Sequence, residues 1–77
     1  MKNSDAVEKI AKRSLVIAGH RTSVSLEEAF WRALSAQAAT QGLSIAGLVA
    51  RIDAARAGAN LSSAIRVFLL QEAQRGQ

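Results

Sequence analysis

Apolar positions along this chain change their period from one stretch to the next, and each change marks an element. Residues 1–13 carry Ala6, Val7, Ile10 and Ala11 at loose helical spacing with Lys and Glu between them, which reads as a frayed helix or a mobile N-terminal arm. Ser14 to Ala18 (SLVIA) is a short, partly β-branched apolar run. Arg21 to Leu26 (RTSVSL) alternates, with Thr22, Val24 and Leu26 set against Arg21, Ser23 and Ser25, so both stretches read as strand. Gly19 lies between them, and the first run either extends the second strand or folds back on it. In an unbroken strand Leu15 and Ile17 would share the face of Arg21 and the serines, so a break at Gly19 conflicts least.

Helical spacing takes over downstream. Ser25 and Glu28 have the S-x-x-E spacing of a capping box, which predicts a helix starting near Leu26, and Glu27 with Glu28 gives its first turn the charge that suits the helix dipole. Its stripe is Leu26, Phe30, Ala33, Leu34 and Ala38, and Gly42 supplies a left-handed stop. Ser44 can cap a second helix bearing Leu48, Val49, Ile52 and Ala55 and ending near Gly58. Asn60 can cap a third, with Leu61, Ala64, Ile65, Phe68 and Leu69 on one face. Trp31 stands beside Phe30 rather than one turn from it, which points it to a dimer contact or to the third helix.

Seventy-seven residues suit one small domain, read as an arm over 1–13 and a folded unit over 14–77. At 49% hydrophobic the chain is too apolar for intrinsic disorder. A core this short seldom supplies more than ~3 to 5 kcal/mol, so it needs a staple. With no cysteine and one histidine, neither disulfides nor a structural zinc can serve, and a twofold homodimer remains. No apolar run approaches the ~20 residues of a membrane span, and the first fourteen residues are polar and mixed in charge, so a cytoplasmic protein is expected. Ten Lys and Arg against six Asp and Glu give +4, with five basic and two acidic side chains in residues 1–25, so anionic partners are favoured.

Catalytic chemistry finds no support in the residues. A nucleophile with its base, a phosphate-binding glycine loop and metal-ligand spacing are all missing; no cofactor or metal is expected, and no enzyme. His20 reads as a polar residue at a bend, and adjacent Glu27 and Glu28 as a helix start rather than an acid-base couple. Phe30, Trp31 and Phe68 have core spacing rather than that of a stacking platform for single strands.

The segment Arg21 to Ala57 carries the informative arrangement: a polar-apolar strand (RTSVSLEE), a helix with the spacing AFWRAL, and the turn and helix start QGLSIAGLVARI. In this order of features the chain resembles the ribbon-helix-helix family of bacterial DNA-binding proteins, over about half its length. The flanking KRSLVIAGH and GANLSSAIRVFLL resemble additions found in a subgroup of short members. The resemblance implies a mainly α homodimer with an intermolecular antiparallel two-stranded ribbon, plus an additional C-terminal helix, that inserts the ribbon into the major groove of double-stranded DNA and acts as a repressor. Whether dimers pair into tetramers on DNA stays open.

Residue chemistry points the same way. Alternation turns Val24 and Leu26 inward and Arg21, Ser23 and Ser25 outward, where Arg21 can grip guanine O6 and N7 and the hydroxyls can reach base edges. Ser25 is claimed equally by the capping box. Ser44, Ile45 and Ala46 would present backbone N–H groups to a phosphate at the second helix N-terminus. Family members often carry polar or basic residues there, so Ile45, Ala46 and Gly47 are a departure, and Lys9, Lys12 and Arg13 of the arm are candidates to compensate. Two competing readings stand beside these: the Arg-Ser-Ser row as a merely solvated strand face, and the chain as an antitoxin-like or adaptor module whose apolar third helix, with Val67 and Leu70, holds a protein partner.

Overall fold

The computed structural model describes residues 9–56 and 60–76. Two strands and three helices follow one another: β1 (Ile10–Ile17), β2 (His20–Glu27), α1 (Glu28–Thr40), α2 (Ile45–Ala55) and α3 (Leu61–Arg75). The strands form an antiparallel hairpin in which Ile17 faces His20 and Ile10 faces Glu27. Ala18 and Gly19 close it with positive φ angles of 53° and 84°, the signs that a two-residue turn matching strand twist demands. The break at Gly19 is thus a fold-back, and it resolves the parity conflict: Leu15 and Ile17 join the face of Thr22, Val24 and Leu26.

β1 begins at Ile10, so residues 10–13, read from the sequence as arm, are strand. The part of that arm over residues 1–8 lies outside the described residues. The expected capping box does not form. Ser25 sits inside β2 opposite Lys12, and α1 starts two residues later than expected, with Glu27 as an N-cap that makes no side-chain bond. The cause is the ladder: Glu28 N–H donates to the Lys9 carbonyl at 2.9 Å, so strand pairing reaches the helix start and β1 satisfies a group the serine was expected to satisfy.

The hairpin lays one face on the helices. Ile17, Val24 and Leu26 pack with Trp31, Leu34 and Ala38 of α1, Leu48, Val49 and Ile52 of α2, and Ile65 and Leu69 of α3. Trp31 is therefore a core residue at 2% exposure, while Phe30 is half-buried and Ala33 exposed. That rotates the buried stripe of α1 away from the one expected, because the indole fits under β1, where its Nε1 donates to the Ala11 carbonyl at 2.9 Å. Gly42 does stop α1. At φ 70° it lets Leu43 N–H reach back to the Ala38 carbonyl at 2.8 Å and its own N–H to the Ala39 carbonyl at 3.1 Å, a Schellman pair. Ser44 Oγ accepts from Gly47 N–H at 2.9 Å and Asn60 Oδ1 from Ser63 N–H at 3.2 Å, so both caps stand as expected. Helix α2 ends at Ala55; Gly58 lies outside the described residues.

Candidate nucleic-acid interface

With one face of the hairpin on the core, the other is presented outward. Facing residues in an antiparallel pair share a side. Arg21, Ser23 and Ser25 are all exposed, and the register sets Val16, Ser14 and Lys12 opposite them, also exposed. Val24, at 1%, and Leu26, at 0%, occupy the reverse side. The expected row on β2 thus exists, and β1 doubles it with Lys12 and Ser14. Arg13 belongs to the other face: its guanidinium lies 4.6 Å from the centre of the Trp31 ring, with Nη2 4.0 Å from Glu28 Oε1. Lys12 and Arg13, paired in the sequence reading, point to opposite sides of the ribbon.

The two edges of β2 differ. Hydrogen-bonded and non-bonded pairs alternate along an antiparallel ladder. The Glu28-to-Lys9 bond sets the phase, so Leu26, Val24 and Thr22 direct their backbone groups to β1, while Arg21, Ser23 and Ser25 direct theirs to the open edge. Helix α3 touches that edge at one end: Ser62 Oγ donates to the Ser25 carbonyl at 3.0 Å, and Arg66 Nε meets Glu27 Oε1 at 3.1 Å. A hydrogen bond from its own backbone N–H, then the Arg66 guanidinium, hold the Glu27 carboxyl below the usual 4.5. Arg66 also lies 6.0 Å from the Phe30 ring centre. One carboxylate on the outward face is thereby neutralised where an anion would otherwise be repelled.

At the second helix N-terminus, Ser44 Oγ accepts from Gly47 N–H, which leaves its own O–H and the first-turn backbone N–H groups of Ile45 and Ala46 as donors to an anion. Their half-buried side chains add no charge. His20 follows the hairpin turn opposite Ile17, and among the described residues no group of three or more His, Cys, Asp or Glu converges as a metal site. The sequence reading missed Ser14, Ser62 and Arg66. Ser14 becomes readable once the fold-back at Gly19 is known, because register then follows from counting; Ser62 and Arg66 lie 37 and 39 residues from their partners, with no local signal.

Among solved structures, an uncharacterized protein from Bordetella pertussis Tohama I is similar at a TM-score of 0.74 and 30% identity, over 92% of this chain and 61% of that one. This chain thus spans less than two thirds of that protein's length. No curated protein matches the sequence. The ribbon-helix-helix domain matches residues 10–73, nearly all of the hairpin and three helices, and the chain belongs to the ribbon-helix-helix family.

Proposed function

We propose that this protein is a homodimeric, sequence-specific DNA-binding regulator of transcription, acting as a repressor, with β2 as the strand that reads bases. The observation that carries the reading is the outward row of Arg21, Ser23 and Ser25, held rigid because Val24 and Leu26 are fully packed on the reverse side. The open edge of β2 supports antiparallel pairing with β2 of a second copy, which joins two such rows in the major groove. Arg21 offers a bidentate grip on guanine, and the serines offer hydroxyls that donate or accept. Ser62 already donates to the Ser25 carbonyl, but a carbonyl oxygen has a second lone pair for a partner strand. The Ser44 hydroxyl and the first-turn N–H groups of Ile45 and Ala46, together with Lys12, serve as phosphate contacts.

The test is a selection of bound duplexes from a random pool at two salt concentrations. A preferred palindrome should emerge and survive the higher salt. Arg21→Ala should then cost about 1 to 3 kcal/mol on that site and flatten the preference at one base pair in each half-site. Equal weakening on all sequences would sink base reading by Arg21. The adaptor reading draws on a different observation, an apolar cleft of about 400 Å³ between α1 and α3, lined by Phe30, Leu69 and Leu70. A protein that co-purifies over this cleft, with no preferred duplex, would favour it.

A further inference from the structure

Resting on that dimeric DNA-binding reading, the register of the hairpin separates two kinds of contact. β1 occupies one edge of β2 over its whole length, from Ile10 opposite Glu27 to Ile17 opposite His20. A dimer joined through the other edge is therefore a four-stranded sheet, ordered β1, β2, partner β2, partner β1. Neighbouring strands lie about 4.8 Å apart, which puts the two outer strand axes roughly 14 Å apart before side chains are added. The major groove of B-DNA is about 12 Å wide and admits a two-stranded ribbon. The central β2 pair fits within it. The two β1 strands do not, and they are left against the groove walls, where the phosphates run.

We propose that β1 is the phosphate-contacting strand of this protein, with Lys12 and Ser14 as its contacts, and that base reading is confined to β2. Both side chains are exposed on the outward face, and the register sets them beside the reading row, Lys12 opposite Ser25 and Ser14 opposite Ser23. An ammonium and a hydroxyl are donors suited to phosphate oxygens and need no particular base to act on. Glu27, the carboxylate at the end of the same face, is bound by Arg66 and does not compete for Lys12. Arg13 pairs opposite Val24 and lies over the Trp31 ring, on the other face of the hairpin, so it is not one of these outward contacts.

The experiment measures duplex binding by the full chain and its Lys12→Ala, Ser14→Ala and Val16→Ala variants, on the preferred sequence and on a scrambled one, across a salt series. Melting of each variant first shows that the fold is kept, as expected for outward side chains. Lys12→Ala should weaken both duplexes by the same factor and reduce the slope of log affinity against log salt by about 1.8 per dimer, for two phosphates released. Ser14→Ala should weaken both alike, and none of the three should alter the base preference. A changed preference at any base pair with Ser14→Ala or Val16→Ala would overturn the proposal, since the hairpin itself would then occupy the groove. An unchanged salt slope with Lys12→Ala would overturn it too. Neither outcome touches the role of β2, which stands or falls on Arg21→Ala; a wild-type chain that shows no preference between duplexes removes both.

Discussion

Val24 and Ser23 are neighbours in sequence and opposite in fate. Val24 is enclosed at 1% exposure while Ser23 faces outward. Val24→Asp places an unpaired carboxylate in an apolar core and should abolish folding, whereas Ser23→Ala should leave the stability in urea within ~0.5 kcal/mol of wild type. Similar losses in the two variants would mean that the strand is out of register by one residue. Glu27 sets a pH dependence by the same local logic. Its folded carboxyl is held below 4.5, first by its own backbone N–H and then by Arg66. As pH falls below 4.5 the unfolded chain takes up the proton first, so stability present above that pH is lost as it drops through the depressed folded value. The gap in melting temperature between wild type and Glu27→Gln should therefore be fully open at neutral pH and close in acid. A gap that widens in acid would show that the shift has the opposite sign.

Turns and caps decide where each element stops. Ala18 holds a left-handed conformation that costs an L-residue roughly 1 to 2 kcal/mol, at a position where asparagine before glycine is the favoured pair. Ala18→Asn should accordingly raise stability by about 0.5 to 1 kcal/mol in denaturant melts; a loss would imply that the turn is not of this type. At the start of α2, Ser44→Ala removes the acceptor for Gly47 N–H and should cost about 1 kcal/mol. The variant also probes the phosphate contact at α2, where weakened binding in a still-folded protein would be uniform over all duplexes.

For the molecule as a whole, a small core and an open strand edge point to association. Among the described residues, those fully buried are all hydrophobic, and Val67 and Leu70 remain exposed at 50% and 56%. If the open edge of β2 pairs with a second copy, the melting temperature should rise with protein concentration, and sedimentation at micromolar concentration should give a dimer. A folded monomer under those conditions would refute the joined ribbon, and with it the four-stranded width on which the role of β1 depends.

Much of this architecture follows from local chemistry. The alternation of RTSVSL, the Gly42 stop and the caps at Ser44 and Asn60 depend on residues within a few positions of one another, and each is where the sequence reading put it. The inward and outward sides of β2 were legible for the same reason: a strand has period two, and apolar side chains must leave water. What tertiary structure decided was partner choice between distant segments. The ladder to Lys9 displaced the capping box from Ser25, and the space beneath β1 took Trp31 instead of Ala33. The same pairing drew residues 10–13 out of the arm and parted Lys12 from Arg13. A carbonyl or an indole can be satisfied by several groups in the chain, and which one reaches it depends on how the elements pack, a quantity that no local pattern contains.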